Sequence, residues 1–148
     1  MFKKILVAVD GSAKSNKALN IVLEDLAGEE TEIHVLHVIS KHLFHAIESE
    51  AGYDGVESPH DIRRKFLDQK KDKVESYLDK LCGDRTLGYE LHVLKGDPRH
   101  VILETAEEIG ADLIVVGSYG KGLGERLILG SVSNHVVSHS SISTLVIR

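Results

Sequence analysis

The chain has 148 residues, 42% of them hydrophobic and 28% charged, a composition that excludes a disordered polymer and predicts one folded domain over 1–148. Eighteen basic against 23 acidic residues give a formal net charge of −5, which argues against a nucleic-acid partner or an anionic-membrane surface, because phosphate tracking needs clustered positive charge. One cysteine, Cys82, forms no internal disulfide, and no apolar run suits a leader peptide or the roughly 18–20 residues of a membrane span, so a cytoplasmic protein is expected.

The first apolar run, Ile5 to Val9, is continuous and β-branched, the pattern of a strand buried on both faces. Ala18, Leu19, Val22, Leu23 and Leu26 then recur at helical spacing. A second strand is predicted over Ile33 to Ile39, followed by an irregular stretch from about 40 to 59 that contains Glu48, Glu50, Asp54 and Glu57. That stretch reads either as a mobile insertion or as a lid. Ile62, Phe66, Gln69, Lys73, Tyr77 and Leu81 trace a long helix with a charged outer face, and Leu91 to Leu94 a third strand. Asp97 and Pro98 are an N-cap and first-turn proline for a helix running through Ile102, Ala106 and Ile109, which Gly110 ends. Leu113 to Val116, Ser131 to His139 and Leu145 to Ile147 complete the series as strand, helix and strand. Alternation of this kind builds βαβ units with right-handed crossovers, hence a doubly wound, three-layer α/β sandwich. Ligands in such sheets bind outside the carboxyl ends of the strands, so residues just after each strand are the candidates.

Five of the 13 glycines fall between 117 and 133, just after the fourth strand. Glycine lets successive N–H groups converge on an anion, and the helix that begins after Gly130 has unpaired amides and partial positive charge at its start. The segment therefore reads as a phosphate cradle, to which the hydroxyls of Ser131 and Ser133 and the side chains of Lys121 or Arg126 are suited to contribute; the plainer reading is a loop followed by a capped helix. Other phosphate motifs are missing. There is no Gly-x4-Gly-Lys-Ser/Thr, and the first strand is followed only by Asp10-Gly11-Ser12, not by a dinucleotide fingerprint.

These residues resemble the universal stress protein family over essentially the whole chain. The family's signature Gly-x2-Gly-x9-Gly-Ser/Thr is met by Gly117, Gly120, Gly130 and Ser131, with Lys3–Ser12, Leu36-His37-Val38 and Ala111–Gly117 agreeing around it. The resemblance implies a five-stranded parallel sheet of order 3-2-1-4-5, of the adenine nucleotide alpha hydrolase-like type, that binds ATP (or ADP or AMP) with Mg²⁺. It places Ala8, Val9 and Asp10 beside adenine and ribose, and the backbone of Val38 against the adenine edge. Gly117, Ser118, Gly120 and Lys121 would line ribose and phosphates, and Gly130, Ser131, Val132 and Ser133 would hold the phosphates. Asp10 reads equally as a ribose or Mg²⁺ partner and as a turn residue; no metal site made by protein ligands alone is expected. Two departures are Tyr119 before Gly120, where many relatives carry His or Arg, and Ile142-Ser143-Thr144 where relatives often have proline. The family also pairs its last strand with that of a second subunit, so a homodimer through 144–148 is implied, together with a protein partner that the sequence does not identify.

The nine histidines give no clear chelate. His135 and His139 are four apart on a helix but lack a third ligand, and read as helix-end residues. His34 and His37 point to opposite faces of a strand. Cys82, at the end of the charged helix, reads as a structural thiol. No nucleophile elbow or adenylating motif is present, so at most slow ATP hydrolysis is expected. The expected function is a dimeric, nucleotide-dependent stress-response protein; the alternatives are a nucleotide-independent interaction module and a slow ATPase or phosphotransferase.

Overall fold

A computed structural model of the chain describes residues 1–51, 58–83, 88–118 and 129–148. Five strands, β1 (Lys4–Ala8), β2 (Glu32–Ile39), β3 (Tyr89–Lys95), β4 (Leu113–Gly117) and β5 (Ser143–Ile147), form one sheet. Its order is β3-β2-β1-β4-β5 and every pairing is parallel, which is the order the family resemblance implies. Among the described residues five α-helices connect the strands: α1 (Ala13–Ile21), α2 (Lys41–Ala51), α3 (Pro59–Cys82), α4 (Pro98–Ile109) and α5 (Ser131–His139).

Strand alternation divides the core in two. Ile5, Val7, Ile33, Val35, Leu113 and Val115 face α1 and α3, where they meet Ala18, Leu19, Val74 and Leu78. Leu6, Leu36, Ile114 and Val116 face the other way, onto Ile102 and Ala106 of α4 and Val136 of α5. The central strands are apolar on both faces because helices cover both. Each fully buried aliphatic chain contributes roughly 1.5–3 kcal/mol relative to exposure. Cys82 is buried in the first of these layers, in keeping with a structural thiol.

Local chemistry sets the helix ends. Ser12 Oγ accepts from the Ser15 amide at 3.3 Å, Ser58 Oγ from the Asp61 amide at 3.2 Å, and Asp97 Oδ1 from the Arg99 amide at 2.9 Å. Gly110 ends α4 in the left-handed region at φ 66°, which lets the Ala111 amide return to Ala106 O at 2.9 Å. Two expectations are corrected. The first helix does not run uniformly to Leu26: Val22–Leu26 is a turn of π-helix, closed by Ala27 N to Val22 O at 2.9 Å. The stretch expected to be irregular contains α2, begun at Ser40, whose hydroxyl accepts from the Leu43 amide at 3.4 Å. Positions 52–57 of that stretch lie outside the described residues.

Candidate functional site

The chain runs outward from β1 to β2 and β3, then returns across β1 to place β4 and β5 on the other side, so the switch point lies between β1 and β4. There, at the carboxyl ends of the strands, is a cavity of about 610 Å³, within the size range of small-molecule sites. Its walls are built around four places in the sequence, the β1 end, the β2 end, the β4 end and the start of α5, with further residues from the start of α1 and from α2, α3 and α4.

Ala8, Val9 and Asp10 form the β1 side. The Val9 amide donates to Leu36 O at 2.8 Å, the last bond joining this strand to β2. Asp10 then turns the chain: its Oδ1 accepts from the Ser12 amide at 2.9 Å, its own amide donates to Ser15 Oγ at 3.2 Å, and Gly11 takes φ 78°. Asp10 thus is a turn residue and also lines the cavity. Its charge is felt beneath the site, where burial first and Asp10 second raise the Tyr77 phenol above its ordinary pKa.

Val38 lies beyond the end of β1, whose pairing with β2 stops at Ala8 opposite Leu36. In a parallel strand successive residues direct their N–H and C=O to alternate sides. Leu36 O accepts from β1, and Ile39 O accepts from Gly96 on the β3 side at 2.9 Å. Val38 therefore directs its amide and carbonyl toward the β1 side, past the point where β1 has ended. This is a donor and an acceptor side by side at the mouth of an apolar slot.

Opposite stands the first turn of α5. Gly130 is its N-cap, with extended backbone and no side-chain cap, and the first amide bonded back is Asn134 to Gly130 O at 2.9 Å. The preceding amides and the positive end of the helix dipole stand in the cavity wall with Ser131, Val132 and Ser133. Ser133 is buried with its hydroxyl engaged, donating to Ser118 O at 2.7 Å with Gly130 O at 3.1 Å, so it braces the turn. Ser118 itself is not in the cavity wall; its carbonyl accepts from Ser133 and from the Gly130 amide at 2.6 Å, and its amide donates to Ile147 O at 2.7 Å. Gly117 lines the cavity, but its lack of a side chain also serves packing, since a Cβ there would sit 3.0 Å from Lys14 and Ser15 backbone atoms. Gly120 and Lys121 lie outside the described residues.

Several lining residues escaped the sequence reading. His37 reaches from β2 to the end of β1, its Nδ1 2.9 Å from Val9 O, and borders the cavity. Lys70 of α3 borders the cavity, as do the apolar Leu43 of α2 and Ile102 of α4. His37 was visible within the Leu36-His37-Val38 match; Lys70 carried no local signal. His139 Nδ1 lies 2.9 Å from His135 O and the two rings stack 4.0 Å apart, so these are helix-end residues as expected.

A doubly wound sheet with a ligand-sized cavity at its switch point defines the class as a three-layer α/β domain with a candidate ligand site. The comparisons narrow it: the model of the universal stress protein family matches residues 1–148, and the chain belongs to that family. It is 30% identical to universal stress protein YxiE of Bacillus subtilis, over the full length of both chains. It is 28% identical to universal stress protein MJ0577 of Methanocaldococcus jannaschii, over all of this chain and 96% of the relative. The solved structure of MJ0577 superposes with a TM-score of 0.78 over 99% of this chain and 96% of that one. A universal stress protein family protein of Arabidopsis thaliana, solved with AMP bound, is 25% identical, with a TM-score of 0.64 over 98% of this chain and 90% of that one.

Proposed function

We propose that this chain is a nucleotide-dependent regulatory protein of the stress response, acting in the cytoplasm, and that its cavity holds ATP with Mg²⁺. The observation that carries this reading is the pairing of two unlike ends in one cavity: the donor–acceptor edge of Val38 and the uncapped start of α5. A purine edge offers the complementary acceptor and donor to the first, and a phosphate tail suits the second. AMP bound in the Arabidopsis relative supports an adenine nucleotide. Asp10 and Lys70 stand in the cavity wall, where a carboxylate suits a ribose hydroxyl or the ion's water shell and an ammonium suits phosphate. When bound, Mg²⁺ would supply charge neutralisation to the phosphates; the chain's own residues supply position.

Calorimetric titration of nucleotide-free protein with Mg·ATP tests the reading. Three or four hydrogen bonds to charged acceptors at roughly 1.5–3 kcal/mol each, offset by association costs, place the dissociation constant in the micromolar range. Gly130→Asp sets a carboxylate against the phosphates and should abolish binding while supplying a side-chain cap that keeps the helix. No heat from the wild type, or equal affinity in the variant, would overturn the assignment.

A further inference from the structure

A second cluster lies on the sheet near the amino ends of β2 and β3. His34 is the third residue of β2, its register partner on β3 is Glu90, and His92 lies two residues beyond. All three point to the face that carries α4 and α5, by alternation from Leu36. His34 Nδ1 is 2.9 Å from His92 Nε2, with the rings stacked at 5.2 Å between centroids. Glu90 presents one oxygen to each ring, 3.7 Å from His34 Nδ1 and 3.7 Å from His92 Nε2. His34 is 6% exposed, whereas the Glu90 side chain is 67% exposed, so the cluster is rooted in the core and opens to solvent on one side. Among the described residues, one ligand atom from each of the three lies within 4.8 Å of the others.

We infer that His34, His92 and Glu90 form a binding site for a divalent cation of the zinc type, which clips the edge strand β3 to β2. Two imidazoles and a carboxylate are a donor set that zinc accepts, with a fourth position left for water on the Glu90 side. Zinc–ligand bonds of about 2.0–2.1 Å in a tetrahedron set neighbouring donor atoms about 3.3–3.4 Å apart. The ring nitrogens at 2.9 Å lie just inside that value and each Glu90 oxygen, 3.7 Å from the ring it faces, just outside it; binding turns the exposed carboxylate so that one oxygen serves both nitrogens, within a set whose ligand atoms already lie within 4.8 Å of one another. The surroundings fit as well. The other ring nitrogen of His34, Nε2, is 3.7 Å from Glu32 Oε2, and Lys4 Nζ holds that carboxylate at 3.0 Å. Metal-bound histidines commonly present their second nitrogen to a carboxylate, which fixes the tautomer. On binding, His34 takes the tautomer with its proton on Nε2, and the hydrogen bond between the two rings is replaced by two bonds to the ion. Spacing along β2 alone offers no chelate; the β2–β3 register creates it. About 13 Å of strand separates His34 from Val38, so the site is independent of the nucleotide cavity.

The test titrates chelator-treated, nucleotide-free protein with Zn²⁺ by calorimetry and with Co²⁺ by visible absorption. Wild type should bind one ion per chain, give the intense band of tetrahedral Co²⁺, and melt at a higher temperature with Zn²⁺. Glu90→Gln, a surface change, and His92→Ala should each weaken binding by more than about tenfold, and Glu32→Gln by about 10–100-fold. The combined His135→Gln and His139→Gln changes, which break up the separate cluster of His100, His135 and His139, should leave binding unaltered. Absence of saturable zinc binding in the wild type, unchanged titrations in the Glu90 and His92 variants, or loss confined to the His135/His139 variant would overturn the site. Metal-free melting curves separate a lost ligand from a lost fold.

Discussion

Gly117 stands where β4 passes α1 so closely that a methyl group would press on backbone rather than on a yielding side chain. Gly117→Ala is therefore expected to cost about 1–3 kcal/mol through overpacking, measurable by urea unfolding; a variant of unchanged stability would show that α1 has room to move. Asp97 supplies a second test at this scale. Hydrogen bonding from Arg99, at 2.6 Å from Nη2, lowers its carboxyl from an ordinary 3.8 to about 2. A carboxyl depressed by folding contributes stability that is present above the ordinary value and lost as pH falls through the folded one. Asp97→Ala should cost about 1 kcal/mol near neutrality, the value of a lost helix cap. The gap to wild type should close as the pH falls from 3.8 toward 2 in thermal melts, and a gap independent of pH would refute the ionic cap. At this scale the sequence was readable where chemistry is local. Asp97, Pro98 and Gly110 announce a helix within a few residues, and the spacing of Gly117, Gly130 and Ser131 announces the turn into α5. Ser133 and Ser118 were not separable that way, since which hydroxyl faces the cavity and which carbonyl closes the turn depends on how β4 meets β5.

Among the elements, β5 carries the most consequence. It ends the sheet, with β4 on one side. Ile147 O accepts from Ser118 on that side, so the backbone groups of Thr144 and Val146 point to the outer edge, by alternation. We propose that a second copy pairs along this edge through 144–148, giving a homodimer. Proline at 146 removes an outward amide and leaves the β4 ladder intact, a substitution that edge strands tolerate. Val146→Pro should sediment as a folded monomer where the wild type sediments as a dimer; a monomeric wild type, or a dimeric variant, would exclude this edge. Helix α2 shows the limit of periodicity. Its segment does place Leu43, Phe44 and Ile47 at helical spacing, but the row spans barely one turn before acidic residues follow, and its cap at Ser40 is only legible once β2 is known to end at Ile39. The long charged α3 was readable from its heptad-like row, but not that Lys70 would stand at the cavity.

For the molecule as a whole, the topology was accessible because continuous apolar strands alternating with amphipathic helices admit few arrangements, and the resemblance selected one of them. That order explains why the cavity forms where it does: β1 stops two residues short of the Val38 edge, and the returning chain delivers α5 across the gap. Position across the sheet, unlike helix caps, is a non-local quantity, which is why the reach of His37 to Val9 O and the His34–His92 pairing emerge only from the assembled register. A crystal structure of the protein grown in saturating Mg·ATP is the most direct measurement of the nucleotide assignment. The expected result is a base edge against the Val38 amide and carbonyl, with phosphate oxygens within hydrogen-bond distance of the Ser131 and Val132 amides. An empty cavity under those conditions, or a nucleotide bound elsewhere on the surface, would contradict it.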